Sequence, residues 1–156
     1  MVDNDEQEQR KNLKDHLEGT FMLTPSATEF LEKVWSSCQF FDDLADNDEV
    51  SRDEINKAVW DHFVGLAGNQ FFIDNSMALR GALATFILKW QASDQAERAG
   101  EASAKSYMWR AGFYDVMLLV VCLVHGYEKT IPAAKEVMDF YGETLEEYLK
   151  EFGKNV

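Results

Sequence analysis

The sequence predicts an all-α fold, a single-domain helical bundle of about five main helices plus a short C-terminal one. Three observations predict it. Apolar residues recur three and four positions apart in segment after segment. Capping boxes of the form Ser/Thr-x-x-Glu open three of these segments, at Ser26, Ser51 and Thr144. Strand-type alternation is nearly missing. With 156 residues, 46% of them hydrophobic, the chain is long enough to bury one core and too short to call for two domains.

Taken in order, residues 1–20 form a polar arm or peripheral helix, and residues 21–156 form the bundle. Ser26 after Pro25, with Glu29 three residues on, starts a helix through Phe30, Leu31, Val34, Trp35 and Cys38. It runs into the acidic stretch FFDDLADNDEVSRDE, residues 40–54, read as a connection. Ser51 and Glu54 start the next helix, whose buried face is predicted to hold Ile55, Ala58, Val59, Phe63 and Leu66. GNQFFIDNS reads as a connection whose aromatics tuck onto the core, with Asn75 or Ser76 capping the helix of Leu79, Leu83, Phe86, Ile87 and Trp90. After a turn at Gly100, a central helix is predicted from about Ala102 to His125, apolar nearly all round between Phe113 and Val124 and ended by Gly126. A shorter helix starts near Pro132, where proline suits a first turn, and stops at Gly142. Thr144 and Glu147 cap a last helix holding Leu145, Tyr148, Leu149 and Phe152.

Charge and composition narrow the function classes. The 28 Asp and Glu against 15 Lys and Arg give a formal charge of -13, which repels nucleic-acid phosphates and anionic lipid heads and attracts cations or basic proteins. No direct nucleic-acid or membrane binding is expected. No apolar segment follows the polar opening MVDNDEQEQRKNLKD, so no secretory signal is expected. The longest strongly apolar run, VMLLVVCLV, has nine residues against about 20 needed to cross a bilayer. These features predict a soluble, cytoplasmic protein. Cys38 and Cys122 sit in apolar helical patterns as small hydrophobes, and His16, His62 and His125 share no ligand spacing. No Gly-rich phosphate loop, CxxC or HExxH occurs.

The acidic stretch admits four readings. A twelve-residue calcium frame from Asp43 to Glu54 places donors at Asp43, Asn47, Ser51 and Glu54, yet puts Ala45 at a ligand position and Asp48 where glycine makes the sharp turn. DDLAD is similar to the first aspartate-rich motif of isoprenoid synthases, which hold magnesium with such carboxylates, but no second such motif follows. A partner-binding patch of Asp42, Asp43, Asp46, Asp48 and Glu49 needs only exposed charge and a basic surface elsewhere. The bland alternative is a solvated loop, since Ser51 and Glu54 already serve the cap and Asp53 suits a helix N-terminus.

A second constellation lies in WQASDQAE, residues 90–97. Continuing the stripe Leu83, Phe86, Trp90 lands on Ser93, Asp94 and Glu97, which should be partly buried. A hairpin closing near Gly100 then brings Arg110 level with them, and Tyr107 beside it. This predicts a structural ion pair of Asp94 or Glu97 with Arg110. The functional alternative is magnesium: Asp43 with Asp46, and Asp94 with Glu97, have the spacing of the paired carboxylates in all-α MazG-like nucleotide pyrophosphohydrolases, and YDVMLLVVCLVHG is similar to that family's second metal helix. That resemblance implies a magnesium-dependent nucleotide or diphosphate hydrolase. It departs at Gly112, where the family has glutamate, and the Glu-Glu-x-x-Glu motif is missing.

The order of features is an acidic segment, NQFF, WQASDQAE, WRAGFYDVMLLVV and a closing YGETLEEYL. Over about Trp35 to Leu149 it resembles small uncharacterised helical proteins of tailed bacteriophages. The resemblance implies a viral protein acting by protein contact, on a host factor in the host cytoplasm or within a virion, and carries no catalytic signature. The expected partner has a basic surface, no cofactor is expected (magnesium or calcium in the alternatives), and a homo-oligomer is compatible with the sequence.

Overall fold

The computed structural model describes residues 11–154, and all regular structure among them is helical. Residues 1–10 of the predicted arm lie outside the described residues. Backbone contacts gather the chain up to Ser76 into one compact unit and the chain from Met77 into another.

In the first unit, α1 is α-helical over residues 11–15 and closes with a π turn, His16–Thr20. Leu13, Leu17 and Phe21 are buried, so this polar segment spends its few apolar side chains on the core. α2 spans Pro25–Asp46. Its cap is Thr24, whose hydroxyl accepts from the Ala27 amide, not Ser26: proline's fixed φ fits the first helical position, which places the cap just before it and two residues earlier than predicted. Ala27, Thr28, Phe30, Leu31 and Val34 are buried along α2. The helix continues through Asp42–Asp46, longer than predicted, and ends at Asn47 in the left-handed region, with φ 63.

α3, Arg52–Trp60, starts at the predicted box: the Ser51 amide donates to Glu54 Oε2 at 2.7 Å and the Glu54 amide to Ser51 Oγ at 3.2 Å. A π turn, Asp61–Gly65, extends it. Its apolar face corrects the sequence reading in part, since of the predicted residues Ile55, Ala58 and Leu66 are half-buried. Val59, Trp60, Phe63 and Val64 are exposed, and the buried side chain is Asp61. Periodicity finds a stripe but not the side it faces.

α4 runs Gln70–Arg98 and includes the predicted connection, with a single non-helical residue, Asn75, at φ -120, ψ 19. Asn69 opens it, its side-chain Oδ1 accepting from the Phe72 amide at 3.0 Å. Phe71 and Phe72 both lie 6.0 Å from Phe30, so the aromatics do tuck onto the core. By length and composition, α4 is the one described helix that could cross a membrane unaided; Ala104–Arg110 and Gly112–His125 qualify only as a bent pair.

In the second unit, the apolar helix predicted over 102–125 forms in two pieces, α5 (Ala104–Arg110) and α6 (Gly112–His125), bent by 45°. The break is at Ala111, with ψ 15, and Gly112 follows it against Phe86. Phe113, Val116, Met117, Val120 and Val121 of α6 are buried, and α6 packs along α7, Tyr127–Asp139. Gly126, at φ 84, ends α6 as predicted. Pro132 lies inside α7 instead of opening it: the helix begins five residues earlier, and only the Glu128 carbonyl loses its donor. α8, Leu145–Glu151, carries the predicted Thr144–Glu147 box and buries Tyr148 completely.

Candidate functional site

Asp42, Asp43 and Asp46 occupy the last turns of α2, and Asp48 and Glu49 the loop to α3. Asp46, Asp48, Glu49 and Asp53 are exposed, and none forms an ion pair with a described residue. Because Asp43–Asp46 is helical and Glu54 is engaged at the Ser51 amide, the twelve-residue calcium frame is not laid out as an open loop. Among the described residues, no three His, Cys, Asp or Glu side chains converge as a metal site would need. Seventeen of the 28 acidic residues but only six of the 15 basic ones precede Met77. The negative surplus therefore belongs almost wholly to the first unit.

At the C-terminal end of α3 sits a charged cluster that the sequence reading missed. Asp61 accepts from Lys33 Nζ at 2.8 Å and Lys57 Nζ at 2.5 Å, and Lys33 also lies 3.7 Å from Glu29. Burial alone would raise the Asp61 carboxyl, but the two ammonium groups outweigh it and hold it below its ordinary value. Burial likewise works against the Lys33 charge, and its bonds to Asp61 win and raise it. A Cβ on Gly65 would lie 2.9 Å from Asp61 Oδ1 and 3.2 Å from Lys33 Nζ, so glycine makes room for the pair. Lys57 and Asp61, four residues apart, form the local half of the cluster, and Lys33 comes from α2. Asn69 adds a second tie, donating to the Ser26 carbonyl at 3.0 Å and Glu29 Oε2 at 3.2 Å.

The second unit holds a buried polar network around Glu97. Arg110 lies 4.0 Å from Glu97 and 3.3 Å from Glu151, with its guanidinium 5.6 Å from the centre of the Tyr148 ring. Asp94, predicted as an alternative partner, pairs with Arg98 at 2.8 Å. Tyr107, predicted beside them, donates its hydroxyl to the Glu143 carbonyl at 2.5 Å. The partner missing from the sequence reading is Tyr148. Its hydroxyl lies 2.7 Å from both Glu97 Oε1 and Ser106 Oγ, and its single proton goes to the carboxylate. Ser93 donates to Glu97 at 2.8 Å and also lies 2.9 Å from the Ser106 carbonyl. Burial foremost raises the Tyr148 phenol, which stays protonated as a donor.

Gly112 explains one departure from the hydrolase pattern. A Cβ there would meet Phe86 Cδ2 at 2.8 Å, so no glutamate fits this packing. The cleft between α2 and α3, lined by Ser36, Phe40, Asp43, Glu54, Lys57 and Asp61, has about 40 Å³. A hollow beside Lys33, walled by Leu13, Glu29, Glu32, Trp35 and Lys57, has about 190 Å³. Small-molecule sites occupy roughly 300–1,000 Å³, so a nucleotide outgrows both. No protein-family model, curated protein or solved structure matches the chain.

Proposed function

We propose that the chain is a non-enzymatic protein that acts by protein contact, with the acidic end of α2 and its following loop meeting a partner with a basic surface. The observation that carries this reading is the exposed run Asp46, Asp48 and Glu49, without an ion pair to any described residue, on a unit that holds most of the negative surplus. Such a field speeds encounter with a basic protein and rejects acidic ones. Its phage-like order of features makes the partner a host factor or a virion component. Ionic strength tests it. Association with the captured partner weakens from low to high salt, and Asp46→Asn/Asp48→Asn/Glu49→Gln flattens that dependence. Affinity unchanged by salt ends the reading.

A melt in EDTA, then with magnesium or calcium, separates this reading from the hydrolase. Saturating a native-state site a hundredfold above its dissociation constant adds about 2.7 kcal/mol and raises the midpoint by roughly 5–10 °C. A rise of that size, lost in Asp43→Asn/Asp46→Asn, moves the assignment to metal chemistry.

A further inference from the structure

Resting on the protein-contact reading, we propose that the outward apolar face of α3 is the anchor of that contact and receives an amphipathic helix of the partner whose flanks are basic. Val59, Trp60, Phe63 and Val64 are 53%, 64%, 80% and 45% exposed. They stand at i, i+1, i+4 and i+5, one stripe of two helical turns. The two aromatic rings alone expose on the order of 300 Å², the scale at which an apolar patch on a protein surface has a function. The stripe does not end at α3. Phe41, 47% exposed, packs edge-on against His62 at 5.2 Å. Lys33–Asp61 at one end, and the cleft that Asp43 and Glu54 line together at the other, make α2 and α3 antiparallel.

Interior chemistry leaves this face outward. The opposite side of α3 carries Asp61, committed to Lys33 across the helix pair. Turning Trp60 and Phe63 inward would break that pair and strand a carboxylate. The stripe is therefore held outward by the fold.

Charge selects the occupant. The same helix presents exposed Asp53 on the side of Trp60, and Asp46, Asp48 and Glu49 precede it. A second copy would set one acidic surplus against another, and an anionic bilayer would be repelled. A helix with apolar residues at i, i+3, i+4 and i+7 and lysine or arginine on its flanks satisfies the stripe and its acidic border together. Trp and Phe are also the residue types that carry interface energy in desolvated centres.

The test uses the full chain and two synthetic helical peptides with the same leucine face, one flanked by lysine and one by glutamate, read by fluorescence anisotropy. The lysine peptide binds, the glutamate peptide binds at least about tenfold more weakly, and Trp60→Ser/Phe63→Ser costs the lysine peptide at least about tenfold. Both positions are exposed, so the variant keeps its helicity and melting midpoint; if it does not, Val59→Ser/Val64→Ser replaces it. Equal binding of the lysine peptide to wild type and apolar variant overturns the proposal. If Asp46→Asn/Asp48→Asn/Glu49→Gln then weakens binding, the acidic-surface reading survives alone. Failure of both peptides, or wild-type self-association abolished by the apolar variant in sedimentation, also overturns it, the latter giving the face to a second copy.

Discussion

Replacing Gly112 by alanine adds one methyl group at the one described glycine of the second unit where a Cβ would meet a neighbour within 4 Å. Gly112 has an ordinary negative φ at the start of α6, so backbone freedom is not its reason. The added Cβ would lie 2.8 Å from Phe86 Cδ2, with the Phe86 Cα at 3.5 Å and its carbonyl oxygen at 3.6 Å. Phe86 is 8% exposed, and the methyl meets its backbone as well as its ring, so a ring rotation alone does not clear the space. Overpacking of this kind costs about 1–3 kcal/mol. The helix-propensity gain of alanine over glycine, up to about 1 kcal/mol in a helix interior, offsets only part at a first helical position. The net loss is roughly 1–2 kcal/mol, a fall of about 2–8 °C in melting midpoint for a chain of this size. Urea melts of Gly112→Ala, Phe86→Leu and the double variant form the assay. Phe86→Leu alone leaves a void and destabilises, while in the Gly112→Ala background it relieves the clash, so the double variant is more stable than the sum of the singles. Additive losses, or a midpoint raised by Gly112→Ala, would refute the steric account and make a longer side chain at this position admissible.

Three further outcomes follow from the polar and thiol groups. Asp61→Asn destabilises the first unit by roughly 1.5–3 kcal/mol, the range of hydrogen bonds to charged groups. Asp61 is depressed below 3.8, so its stabilisation is complete above that value and lost as pH falls through its lower folded pKa. Lys33 is raised above 10.5, so its share is complete below 10.5 and lost as pH climbs through its higher folded pKa. Urea melts across pH should show the wild-type advantage over Asp61→Asn shrinking at both ends and flat between. Tyr148→Phe removes the donor to Glu97 at constant shape and costs about 1–3 kcal/mol; a neutral substitution would mean that Ser93 and Arg110 suffice. Burial first, and Asp42 second, push the Cys38 thiol up from 9.0 to about 12. Alkylation at mildly alkaline pH, followed by peptide mass, should label Cys38 at least about a hundredfold more slowly in the folded chain than in urea.

The sequence by itself determined the helical class, the caps at Ser51 and Thr144, the stop at Gly126 and the packing of Phe71 and Phe72, because these rest on spacing and on hydrogen bonds within a few residues. It also brought Asp94 or Glu97 level with Arg110, since one hairpin brings neighbouring helices back at matching heights, and the fold chose Glu97 by pairing Asp94 with Arg98. Only the tertiary structure decided which way α3 faces. A hydrophobic stripe has the same period whether it meets core or solvent, and the choice was made by Lys33, 28 residues from Asp61. The same holds for Tyr148, 51 residues from Glu97, and for Gly112, which a sequence shows only as a glycine and the fold shows as the space taken by Phe86. Local chemistry repeats along a chain and can be read from it; long-range pairs and steric exclusions exist only once the chain has folded.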